Sequence, residues 1–178
     1  LFPAMVAAMA ARGDTLVYGG GSYGLMGEVA RATHAGGGRV IGIMPTFLKS
    51  QEFVFHDADE MIITTDMRER KAGMYQRADA FIALPGGYGT LDELFEALTW
   101  LQLGYHRKPV GLLNVDGVFN HLVSFIDHSR DERFLRDVHR DSLCVAADLG
   151  QLIDKLRASE APDAGKWLDQ AKFNLSAT

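Results

Sequence analysis

Strands alternating with helices along most of the chain predict an α/β protein built on a doubly wound parallel sheet with helices on both faces. Three observations predict it. Six short β-rich runs fall at residues 15–18, 39–44, 60–64, 80–84, 109–114 and 142–146, several of them apolar throughout, as parallel strands covered on both faces require. Helical patterns lie between or after them at 25–35, 67–77, 91–103, 118–130 and 148–158. Two of the strand-to-helix junctions are rich in glycine.

Taken in order, Pro3 suits the first position of an opening helical pattern at 3–12. The run 15–18 feeds a glycine-rich turn and the helix at 25–35; the run 39–44 ends against Pro45. In the helix at 91–103, Leu91, Leu94, Phe95, Leu98 and Leu101 recur at helical spacing. The segment A-P-D-A-G at 161–165 breaks the alternation, so 161–178 reads as a tail docked through Trp167 and Phe173. The 178 residues are 47% hydrophobic and 23% charged, enough apolar surface for one well-buried domain. A net charge of −5 gives no electrostatic footprint for nucleic acid or an anionic membrane. No run approaches the ~20 apolar residues of a membrane span, and no leader pattern opens the chain, so a cytoplasmic protein is expected. Cys144, the single cysteine, is expected as a small core residue in L-C-V-A.

The first glycine loop, G-G-G-S-Y-G at 19–24, lies between a strand and a helix and fits G-x-G-x-x-G. Gly20 and Gly21 are candidate substrate-binding positions, because glycines let backbone approach a phosphate at a helix N-terminus. A dinucleotide site would need a carboxylate at the end of the next strand, where the chain has Ile43-Met44-Pro45. NAD is therefore disfavoured, and glycines serving only a tight, packed turn remain an alternative. The second loop, P-G-G-Y-G-T at 85–90, offers Gly86, Gly87, Tyr88, Gly89 and Thr90 as a backbone cradle for phosphate, continuing into Leu91 and Asp92. It lacks the Gly-Lys-Ser/Thr of a triphosphate-binding loop. Thr90-x-x-Glu93 also reads as a capping box that satisfies only the helix's own amides.

Arg68, Arg70 and Lys71 crowd the start of the helix at 67–77, against the helix dipole. Arg70, Met74 and Arg77 share one face. An anionic partner rationalises this charge; a solvated charged face is the alternative.

The string M-R-E-R-K-A-G-M at 67–74, with D-A-F-I-A-L-P-G-G-Y-G-T-L-D-E-L at 79–94, resembles the LONELY GUY (LOG) phosphoribohydrolases, a family also labelled lysine decarboxylase-like. L-V-Y-G-G-G-S-Y-G-L-M-G at 16–27, V-I-G-I-M-P at 40–45 and the stretch 99–114 extend the resemblance to about residues 3–157. It implies a Rossmann-like fold and hydrolysis of the N-glycosidic bond of an adenosine 5′-monophosphate, N6-modified in cytokinins, to free base and ribose 5-phosphate. It implies Arg70 and Glu93 as the catalytic pair. Lys71, residues 87–90 and Thr99 match nucleotide contacts, and Glu52 matches an acidic substrate contact. Arg68 stands where the family usually has histidine. The family's opening strand and Gly-Ser-Ser loop have no counterpart, so an N-terminal strand is expected to be missing from a single catalytic domain at 1–160.

No cofactor or metal is expected. The six histidines show no H-E-x-x-H spacing, and His106 and His139 read as surface or structural. Nothing marks Lys49, Lys71 or Lys108 as a Schiff-base lysine. The competing class is a non-catalytic nucleotide or molybdenum-cofactor carrier on the same fold. Trp100, Leu101, Leu103 and Tyr105, with Met67, Met74 and Tyr75, are more apolar surface than one helix face buries. A homodimer is expected, as the resemblance also implies; a helix buried on its sheet is the alternative.

Overall fold

The computed structural model describes residues 10–49 and 54–162. Most of the opening helix expected at 3–12 and of the expected tail, with Trp167 and Phe173, lies outside them. Contacts divide the chain into two units, 1–78 and 79–178.

In the first unit, β1 (Thr15–Tyr18), β2 (Arg39–Pro45) and β3 (Glu60–Thr64) form a parallel sheet in the order β1-β2-β3. The pairing sets Tyr18 beside Gly42 and Thr64 beside Pro45. The central strand is apolar on both faces: Val40, Ile43 and Met44 are fully buried. Tyr18, Ala30, Val40 and Phe55 form a core cluster, with Leu16 and Ala58 packed on it. Parallel neighbours need crossovers. These contain α1 (Gly24–Ala35), the short α2 (Thr46–Lys49) and, beyond β3, α3 (Met67–Arg77). Asp66 caps α3 by accepting from the Glu69 amide at 2.8 Å.

The second unit repeats the plan with β4 (Phe81–Ala83), β5 (Val110–Leu113) and β6 (Leu143–Ala146), parallel and ordered β4-β5-β6. Val110, Leu112 and Leu113 of the middle strand are fully buried. Its helices are α4 (Tyr88–Gln102), α5 (Asn120–Asp131), α6 (Asp137–Asp141) and α7 (Leu149–Ala158). Leu149, Leu152, Ile153 and Leu156 form the buried stripe of α7 at i, i+3, i+4, i+7. Each such side chain contributes roughly 1.5–3 kcal/mol of burial. Asp148 caps this helix through the Gln151 amide. Both sheets are parallel with helical crossovers, the Rossmann-like α/β class that the alternation predicts.

The differences from expectation are local. α2 and α6 were not predicted, because four or five residues carry no readable period. The helix expected from 118 starts at Asn120, after a turn in which Asp116 and Gly117 adopt positive φ (51° and 71°) and the Asn114 side chain accepts from the Phe119 amide. Cys144 is half-buried rather than in the core, and burial raises its thiol pKa. On α4 the buried stripe is Leu94, Ala97 and Leu101, while Phe95, at the edge of the apolar arc farthest from that stripe, turns outward.

Candidate active site

The first glycine loop is tied into its own unit. Gly20 has φ +83° and Gly24 +56°, left-handed conformations that L side chains avoid. The Gly20 carbonyl accepts from the Phe55 amide at 3.0 Å, and Gly21 bridges antiparallel to Val54. The buried Tyr18 hydroxyl donates to the Gly21 carbonyl at 3.2 Å, and burial drives the Tyr18 pKa far above its usual range. A Cβ on Gly20 would lie 3.1 Å from the Met61 sulfur. These contacts give Gly20 and Gly21 a packing role in the loop.

Arg70 sits on the first turns of α3, half-buried. Its Nε–H donates to the Ile43 carbonyl at 3.2 Å. Glu69, which the sequence reading passed over, holds the start of this helix: its Oε2 accepts from the Thr65 amide (2.7 Å) and the Thr65 hydroxyl (2.8 Å). Those hydrogen bonds lower the Glu69 pKa. D-M-R-E at 66–69 is the signal for it, an acid three residues after an N-cap. Lys71 is half-buried on the same helix, Arg68 is exposed, and Arg77 donates back to the Gly73 carbonyl at 3.2 Å. Glu52 lies outside the described residues.

The second loop is built differently. β4 ends at Ala83, and after Leu84-Pro85-Gly86 the N-cap of α4 is Gly87, one turn earlier than expected. Thr90 is therefore inside the helix, and the N-cap residue, Gly87, has no side chain with which to cap it. The capping box read from Thr90 and Glu93 is corrected: the first helical bond runs from the Leu91 amide to the Gly87 carbonyl at 3.1 Å. The Tyr88, Gly89 and Thr90 amides then have no acceptor within the helix, and they stand at its positive end. Thr90 packs its hydroxyl onto Gly86, where a Cβ would overlap it. Around Gly87 and Gly89 a Cβ would meet nothing within 4 Å among the described residues, and neither has positive φ.

Glu93 lies four residues beyond Gly89, on the same helical face, and is half-buried. Beside it, Tyr88, Leu91, Asp92, Phe95, Glu96, Thr99 and Trp100 line an open groove of about 500 Å³. The Thr99 hydroxyl donates to the Phe95 carbonyl at 2.7 Å. Tyr88 is 94% exposed and Tyr105 79%; Trp100 lies 6.3 Å from Tyr105, ring centre to ring centre. His106 is structural: its Nδ1 accepts from the Lys108 amide (3.1 Å), which leaves Nε2 to donate to the Ala97 carbonyl (3.0 Å). Burial, with Lys108 adding, lowers its pKa. His139 is 5% exposed, a core residue. Among the described residues no three His, Cys, Asp or Glu side chains group to hold a metal ion. None of their helices is long and apolar enough to cross a membrane.

This is a Rossmann-like α/β protein with two glycine-rich strand-to-helix loops, one closed by its own packing and one open at a helix start. Residues 26–156 match the family described as possible lysine decarboxylase. The chain is 50% identical over 84% of its length to the cytokinin riboside 5′-monophosphate phosphoribohydrolase LOG5 of Arabidopsis thaliana. It is 52% identical over 82% to the enzyme LOG7 of the same plant. It spans 66% and 67% of these relatives' lengths. Among solved structures, the molybdenum cofactor binding protein of Rippkaea orientalis aligns with a TM-score of 0.65 and 25% identity, over 88% of this chain and 84% of that one. The chain belongs to the LOG family, whose model bears the lysine decarboxylase description.

Proposed function

We propose that the chain is a phosphoribohydrolase that cleaves the N-glycosidic bond of adenosine 5′-monophosphate, plain or N6-modified, giving the free base and ribose 5-phosphate. The observation that carries the reading is about 50% identity with named phosphoribohydrolases over more than four fifths of the chain. The glycine-lined start of α4, whose N-cap residue Gly87 has no side chain, supports it, because a 5′-phosphate supplies acceptors for the amides of the first turn.

Breaking C1′–N9 builds positive charge on the ribose, which a carboxylate stabilises. Glu93 takes this role and orients the water that adds to C1′; the water's proton leaves as the base departs protonated at a ring nitrogen. Arg70 contributes a planar cation that neutralises the substrate's negative charge. Phosphate binding at Gly86, Gly87, Tyr88, Gly89 and Thr90, with Leu91 and Asp92 following, holds the ribose by remote binding energy. Lys71, Thr99, Glu52, Gly20 and Gly21 complete the proposed substrate contacts on the motif match. No cofactor or metal enters the scheme. A two-fold homodimer paired through the aromatic surface of α4 belongs to the same reading. So do a single catalytic domain at 1–160 and a cytoplasmic setting, where nucleoside monophosphates are found.

A carrier role is the weaker reading, resting on 25% identity against 50%. Incubation with AMP and with N6-isopentenyl-AMP, followed by chromatography of the bases, tests the proposal. Release of adenine or its prenylated form supports it; both nucleotides recovered bound and intact would favour the carrier.

A further inference from the structure

The glycines of the first loop and its helix are explained by different neighbours. Gly20 and Gly24 have positive φ, and a Cβ on Gly27 would overlap the Ser22 carbonyl. Gly19 shares neither reason. Its φ is not positive, so its backbone accepts an L side chain. The three atoms nearest a Cβ at this position are all from Arg70: Nη2, far inside contact distance, Cζ at 3.3 Å and Nε at 3.7 Å.

The surroundings explain why Arg70 is there. Pairing of Tyr18 with Gly42 sets Gly19 level with Ile43, just past the end of β1. The Ile43 carbonyl receives the Arg70 Nε–H. α3 sits close over the same strand at Gly73, where a Cβ would lie 3.3 Å from the Ile43 side chain. Asp66 and Glu69 fix the start of the helix. The guanidinium is thus held by a carbonyl at Nε and by bare backbone beside Nη2.

We propose that Gly19 is a positioning residue for Arg70: its missing side chain is the slot that seats the guanidinium. This rests on the reading of Arg70 as a catalytic residue. A methyl at position 19 has room only if the guanidinium tip swings aside, a shift on the order of 1 Å, and a misplacement of that size costs about 10²-fold in rate. The swing strains little, since it moves the end of a flexible side chain.

The test uses full-chain Gly19→Ala, Arg70→Ala and the double variant, with two readouts. The first is the hydrogen exchange of the Arg70 Nε–H by NMR, assigned through its loss in Arg70→Ala. The second is kcat and KM for AMP. In Gly19→Ala the Nε–H exchanges faster, kcat falls about 100-fold, KM for AMP rises in the same direction as in Arg70→Ala, and Tm stays within about 3 °C. The double variant matches Arg70→Ala in kcat. Unchanged exchange in Gly19→Ala overturns the slot. Faster exchange with wild-type kcat overturns its catalytic purpose. A further loss of kcat in the double variant makes Gly19 an independent turn glycine. Undiminished activity in Arg70→Ala instead refutes the assignment of Arg70, while the exchange measurement still decides the slot. If Gly19→Ala alone fails to fold, a folded double variant identifies Arg70 as the clash, and an unfolded one excludes it.

Discussion

The two glycine-rich loops look alike in sequence and differ in what their glycines do. In the first, the glycines meet demands from inside the protein: positive φ at Gly20 and Gly24, the Met61 sulfur over Gly20, the Arg70 tip beside Gly19. Phe55, Val54 and Tyr18 also hold the backbone of Gly20 and Gly21. In the second, Gly87 and Gly89 have ordinary φ and open space among the described residues. Among the described residues no atom stands where a Cβ at 87 or 89 would lie, whereas Gly86 makes room for the Thr90 hydroxyl; at Gly89 glycine costs helix stability. A glycine that the fold does not require points to something approaching from outside. The same motif thus answers internal packing at one junction, where Gly20 and Gly21 are proposed as substrate contacts on the motif match alone, and in the proposed reading it is shaped for a ligand at the other.

The largest expected effect lies on the helix behind the open loop. Glu93→Gln keeps the side chain's shape and loses its charge. Base release from AMP should fall by about 10²–10⁴-fold, with AMP affinity by calorimetry within a few-fold of wild type. Near-normal turnover would remove Glu93 from the chemistry.

Alanine substitutions sharpen the comparison further, because the two loops should respond with opposite signs. Gly89→Ala places a better helix former in the first turn of α4, so stability should rise by about 0.5–1 kcal/mol. Its methyl group obstructs the amide cradle, so KM for AMP should rise roughly tenfold while a phosphate contact is being lost. Gly20→Ala should lose about 1–2 kcal/mol, since alanine there is left-handed. Denaturant melts of both variants, with AMP titrations, decide it; equal destabilisation would erase the distinction.

The smallest effect is acid sensitivity in the unit that holds the open loop. His106 is neutral when folded, with its pKa lowered, and takes up a proton more readily when unfolded. Below about pH 6.5 the unfolded chain therefore binds more protons, and stability falls as pH drops toward the lower folded value. His139, lowered by burial and by Arg136, acts in the same direction. The fall in Tm between pH 7.5 and 5.5 should be shallower in His106→Gln than in wild type. Parallel profiles would assign the acid dependence elsewhere.

Much of the fold could be read from the sequence because the strands are apolar throughout and the longer helices carry a period. β1, β3 and α3 begin and end where the pattern says, and the others lie within a few residues. α2 and α6 were beyond reach because a single turn has no period to detect. The start of α4 was misread for a definite reason: Thr90 looks like an N-cap, and glycine at positions 87 and 89 looks like loop. The helix begins at Tyr88 regardless, carried by the long run that follows. The proposal of Arg70 and Glu93 as a pair comes only through the family strings, since by themselves Arg70 reads equally as part of a solvated charged face and Glu93 as half of a capping box. The bond from Arg70 to Ile43 joins residues 27 apart in sequence and could not be seen in any local pattern. Glu69 was legible in D-M-R-E but was overshadowed by the basic residues around it.

The proposed reading gives the open loop to a 5′-phosphate, and the most direct measurement is therefore the wild-type kcat/KM for AMP against that for adenosine, with both products quantified. The account predicts equimolar adenine and ribose 5-phosphate from AMP, and cleavage of adenosine at least about 10²-fold less efficient, because the anchoring phosphate is gone. Equal efficiency on the two substrates, or no free adenine from either, would contradict it.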